Sequence, residues 1–178
     1  MLELLIPVVA EADTNRETFA AFCRSLAADE LARPVPEATW AVKEYIAHLA
    51  TIDIWVGDWF AHLAEGKPFR PTADSGGPFS IDAWNEREVV ARRETTVDEL
   101  LSEAAEERQK LWSTVSRFTQ PVLDDVMDFH GNSITFLRYL QLWAGHDPAH
   151  TRDMLRALPE RHSDAALTRW LAAYAPPA

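Results

Sequence analysis

The chain has 178 residues, 47% of them hydrophobic, enough to bury the core of one domain spanning residues 1–178. Its 28 acidic residues outnumber 17 basic ones for a formal charge of −11, which argues against nucleic acid or an anionic membrane as a partner, since binding phosphates needs clustered Lys and Arg. No apolar run approaches the roughly 20 residues that would span a bilayer, so no membrane partner is expected either.

Apolar residues recur with helical period almost throughout, without internal repeats or low-complexity tracts. Met1-Leu2-Glu3 lacks the basic start of a signal peptide. A first helix is expected over about Leu2–Ala28, burying Leu5, Val9, Ala12, Phe19, Cys23 and Leu26, with Pro7 near its start. Cys23 is the sole cysteine, so an internal disulfide is impossible, which suits a reducing, cytoplasmic setting. Its apolar neighbours make it a buried small hydrophobe rather than a reactive thiol. Pro34 and Pro36 mark a connection, and Thr39 is the expected cap of a second helix carrying Ile46, Leu49, Ile52, Val56, Trp59, Phe60 and Leu63. Gly66 and Pro68 stop it, and a Pro/Gly-bearing loop at 67–79 is long enough to form a rim or lid.

Ser80 or Asp82 opens a third helical region, interrupted near Thr95 because Thr96-Val97-Asp98-Glu99 is a capping box. Leu100, Leu101, Ala104, Arg108, Leu111, Trp112, Val115 and Phe118 continue it to Pro121. Asp124–Asn132 is expected to be irregular, with a short extended piece and turn around Phe129–Ser133. Ser133 then caps a helix reaching Leu158, and a short one follows over Asp164–Tyr174. The expected fold is all-α: an antiparallel four-helix bundle with a short extra C-terminal helix, in which sites form between facing helices.

Three histidines carry the chemistry. His146 and His150 lie four apart, so on a helix they project from one face. His48 sits among apolar neighbours on the second helix, where a buried imidazole needs a partner. Together they would hold a divalent metal, zinc or nickel, with coordination positions left open as in catalytic sites. The pair alone also fits two histidines facing solvent. Pro148 either kinks a continuous helix or follows Asp147 as the first residue of a new one. The kinked helix is favoured, because Phe136, Leu137, Leu140 and Trp143 lead into Thr151, Met154, Leu155 and Leu158 without a turn sequence.

Trp40-Ala41-Val42-Lys43-Glu44-Tyr45-Ile46-Ala47-His48-Leu49 resembles the histidine-bearing helix segment of the DinB-like (YfiT-like) metalloenzymes, and His146-Asp147-Pro148-Ala149-His150 resembles their H-x-x-x-H motif. The resemblance covers most of the chain to about Leu158. It implies a four-helix bundle, a three-histidine metal site and a homodimer. It also implies the superfamily's activities: thiol S-transfer with bacillithiol, mycothiol-dependent isomerisation and hydrolase-like reactions. The chain departs from the pattern at Asp153, where the family often has Gln. Asp153 either orients His150 or joins a surface ion pair with neighbouring arginines.

Asp53, five residues after His48, is a candidate base or carboxylate partner, with helix capping or a surface role as the alternative. His130 is a further candidate beside Gly131. Trp55, Trp59 and Trp143 are candidates for a pocket wall, with core packing the simpler reading. Arg138 and Arg152 are either anion-binding or solvated helix charges, and His62 and His162 read as surface residues. There is no Gly-rich phosphate loop, no assembled Ser-His-Asp set, and no H-E-x-x-H. The expected function is metal-dependent activation of a low-molecular-weight thiol, or of water, for attack on a small-molecule electrophile in detoxification. The alternative is a non-catalytic, small-molecule-binding or dimeric stress-response bundle with a structural metal.

Overall fold

A computed structural model describes residues 1–69, 71 and 78–174. Most of the loop expected over 67–79 as a rim or lid lies outside the described residues. Among the described residues the protein is built from nine α-helices, two short 3₁₀ turns and one two-stranded hairpin.

A 3₁₀ turn at Glu3–Leu5 leads into α1 (Ile6–Arg24), with Pro7 in the first turn. The long first helix expected from the periodicity stops at Arg24, and the chain restarts as α2 (Ala28–Leu31), whose Glu30 carboxylate accepts from the Ala27 N–H at 2.7 Å. Val8 rather than Val9 is buried. Helix α3 (Val42–Ala64) is opened by Glu44, which accepts from the Ala41 N–H at 2.9 Å, so Thr39 is not its cap. It closes at Gly66, whose φ of 65° lets Lys67 N–H return to the His62 carbonyl at 2.9 Å.

Ser80 caps α4 (Ile81–Ala91), and the Thr96/Glu99 capping box opens α5 (Val97–Val115) as its residue types require. Pro121 lies inside the short α6 (Gln120–Asp124), past the end of α5. The segment expected to be irregular contains β1 (Val126–Phe129) and β2 (Asn132–Thr135), paired antiparallel with Phe129 opposite Asn132. His130 and Gly131 form the two-residue turn, both with positive φ (52° and 79°), the signature of a tight hairpin turn. The fold is therefore mostly helical rather than purely so.

Thr135, not Ser133, caps α7 (Phe136–Ala144), accepting from Arg138 N–H at 3.2 Å. The helix expected to run on through Pro148 breaks at Gly145 and resumes as α8 (His146–Leu155). Pro148 is thus the third residue of a new helix, where its missing N–H costs nothing. The carbonyl it would have served four residues back, Ala144, accepts instead from the buried Asn15 side chain at 2.7 Å. A 3₁₀ turn (Pro159–Ser163) leads to α9 (Ala165–Ala172), capped by Asp164.

Helix α3 packs against α5, α4 and α8, and α1 against α5, α7 and α8. The core forms two apolar clusters. One gathers Phe19, Ile46, Leu49, Leu100, Met154 and Leu158, and the other Leu5, Val56, Phe60, Leu111, Phe136 and Leu140. Along each long segment, the residues between the clusters are polar: Asn15 and Arg16 on α1, Thr51 and Asp53 on α3, Arg108 on α5, Asp147 and Thr151 on α8. The three histidines belong to this same level.

Candidate metal centre

Because α8 begins at its first histidine, His146 and His150 occupy consecutive turns of one regular helix and keep their common face. Helix α3 brings His48 to them. One ligand nitrogen from each of the three rings lies within 4.8 Å of the others. His150 Nε2 sits 3.1 Å from His146 Nε2. Two nitrogens bound to one zinc at about 2.0–2.1 Å are about 3–3.4 Å apart, so this spacing suits a shared ion.

Neighbouring groups fix each ring. His150 Nδ1–H donates to the Asp153 carboxylate at 3.1 Å, which leaves the Nε2 lone pair facing His146. Of the two roles open to Asp153, the fold realises the orienting one. Trp143 stacks on His146 with centroids 4.5 Å apart and planes 16° from parallel. Trp40 lies 5.0 Å from His48.

Burial pushes the His48 pKa down to about 3, with the neighbouring His150 adding to the effect. Burial likewise holds His146 well below the ordinary imidazole value, helped by His150 and His48. Both rings are neutral at physiological pH, the state a metal requires. The Nδ1 atoms of His48 and His146 are buried without a hydrogen-bond partner among the described residues. Neutral imidazoles converging on one point, with His146 and His150 facing each other through Nε2, fit a divalent cation.

Behind the histidines lies a buried charge quartet. Arg16 grips Asp147 in a two-pronged pair at 2.8 and 3.0 Å and donates to the Leu49 carbonyl at 2.9 Å. Arg108 donates to Asp53 at 2.5 Å and lies 3.7 Å from Asp147, while Arg16 approaches Asp53 at 3.5 Å. Two positive and two negative charges cancel. Asp53 is therefore neither a cap nor a surface residue: it is 1% exposed and held between two guanidiniums. Asp147 follows His146 directly, so the quartet ties the ligand helix to α1, α3 and α5.

All three histidines line a cavity of about 470 Å³. Trp40, Trp55, Phe129, Tyr139 and Trp143 supply aromatic walls, and Asp82, Asn85 and His130 the remaining polar groups. Of the tryptophans expected at a wall, Trp55 and Trp143 are there, while Trp59 packs against Phe60, Phe136 and Tyr139. Asp53 and Asp153 are not among the described lining residues, and His130 is, at the exposed hairpin turn. Arg138 and Arg152 line a different groove, where Arg138 meets Gln141 and Arg152 the Leu171 carbonyl.

Asn15, Arg16 and Asn85 escaped the reading of the sequence. Arg16 falls on the buried stripe between Ala12 and Phe19, and Arg108 between Ala104 and Leu111. A charge at such a position is the signal that marks both.

No curated protein matches the chain. A profile of the DinB superfamily matches residues 11–154, which takes in all three histidines and the buried quartet. The chain belongs to the DinB superfamily.

Proposed function

We propose that the protein is a metal-dependent enzyme in which His48, His146 and His150 hold a divalent ion, zinc or nickel, and which adds a low-molecular-weight thiol, or water, to a small electrophile. The reading rests on one observation: three imidazoles within 4.8 Å of one another open onto a cavity of about 470 Å³. A purely structural metal needs no such cavity, which favours a small-molecule site over a bundle whose metal only stabilises it. A divalent ion bound there lowers the pKa of a thiol or of water toward neutrality.

The chain's own residues set the conditions for this. Asp153 holds the His150 proton on Nδ1, keeping Nε2 free as a ligand. Trp143 and Trp40 hold the His146 and His48 ring planes. Aromatic walls set apolar surface beside the reacting groups. The same reading takes α1, α3, α5 and the α7–α8 pair as an antiparallel four-helix bundle, forming one domain of a cytoplasmic homodimer with a role in detoxification under stress.

Metal analysis of the purified chain beside His48→Ala and His150→Ala tests the site. The parent should carry close to one equivalent of divalent metal, and each variant less than a tenth of that. Stripping the metal should abolish thiol conjugation of a generic aryl electrophile, and restoring it should bring turnover back. Equal metal in all three proteins, or turnover indifferent to metal, would overturn the proposal.

A further inference from the structure

The cavity beside the histidines carries a second body of information, concerning what it accepts. Among its described lining residues Asp82 is the only one outside the histidines with an ionisable carboxylate or ammonium-type group, and there is no lysine or arginine. The two guanidiniums closest to the histidines, Arg16 and Arg108, are spent on Asp53 and Asp147 behind them. Among the described lining residues an anionic substituent away from the metal would meet no lysine or arginine and would face Asp82. An aromatic wall, by contrast, rewards a flat ring that can stack on it.

The indoles of Trp55 and Trp143 belong to this wall. Trp55 is braced from outside the cavity by Phe79, stacked 9° from parallel at 5.6 Å, so its ring is held as a fixed platform.

We infer that the site takes a planar, aromatic or conjugated small molecule that is uncharged away from the metal, and that it discriminates against anionic ligands of the same shape. This deepens the proposed function and rests on it for the word substrate, but the binding preference stands on the cavity alone and is read without the metal.

Isothermal titration of the full-length protein, metal-stripped and zinc-loaded, with three probes separates shape from charge. The probes are 2-acetylnaphthalene (planar, uncharged, one carbonyl), naphthalene-2-sulfonate (the same rings, anionic) and 1-adamantyl methyl ketone (uncharged, the same carbonyl, not planar). The stripped protein should bind 2-acetylnaphthalene at least tenfold more tightly than either of the others. Trp55→Leu keeps an apolar side chain and removes the flat ring, and should weaken that probe about threefold or more. Asp82→Asn should narrow the gap to the sulfonate by a similar factor. Equal or tighter binding of the sulfonate or of the adamantyl ketone, or no binding of 2-acetylnaphthalene, would overturn the inference. Failure of the protein to take up zinc with the preference intact would instead overturn the metal reading and leave this one standing.

Discussion

His48 and His146 show how burial changes a residue's meaning. In water each would titrate near 6.5. Inside the protein each is held neutral, His48 with a pKa of about 3 and His146 also far below the ordinary value, chiefly by loss of solvent. The folded state therefore refuses protons that the unfolded chain accepts once the pH falls below about 6.5. Stability of the metal-free protein is fully expressed above that pH and declines below it, toward the folded value of about 3. The decline is expected to reach up to about 1.4 kcal/mol per pH unit for each ring. Urea midpoints at pH 7.5 and 5.5 measure it, and His48→Leu should show a smaller drop than the parent. A midpoint that rises on acidification over that range would mean the rings are not held neutral.

At the level of elements, the turn between α7 and α8 decides where the ligands point. Pro148 cannot donate to the Ala144 carbonyl, and Asn15 from α1 does so instead while its own oxygen accepts from Trp170 Nε1 at 2.8 Å. One side chain thus joins the first helix, the ligand-helix break and the C-terminal helix. Asn15→Leu leaves two buried polar groups unmet, and is expected to cost about 1–3 kcal/mol in chemical unfolding. Asn15→Asp, which accepts from Trp170 but cannot donate to Ala144, should restore only part of the loss. Stability unchanged in both variants would show that the freed carbonyl finds water and that Asn15 has no hold on the break.

For the molecule as a whole, the notable feature is a polar level crossing α1, α3, α5 and α8 between two apolar clusters. Such a level stabilises little by itself, because desolvating four charges offsets most of their attraction. Breaking it is another matter. Arg108→Met leaves Asp53 with only the longer 3.5 Å contact to Arg16, and should cost about 3–5 kcal/mol in unfolding free energy. Replacing both partners, Arg108→Met with Asp53→Leu, should recover much of that loss. A single variant as stable as the parent would show that the quartet does not hold the helices together.

Local chemistry made much of this legible in the sequence. Gly66 closes α3, Thr96 with Glu99 opens α5, and the four-residue spacing of His146 and His150 places both on one face, because caps, positive φ and helical period act within a few residues. The turn at His130-Gly131 was legible, but the pairing of the strands around it was hidden because each is only four residues long. The break at Gly145 was hidden because Pro148 marks a helix disruption without saying on which side it falls. Tertiary structure alone brought His48 to the pair, turned Arg16 and Arg108 inward onto Asp53 and Asp147, and set Trp55, Asn85 and Trp143 around the histidines. Those contacts join residues up to 131 positions apart, and packing between helices, which no local pattern encodes, is what sets their geometry.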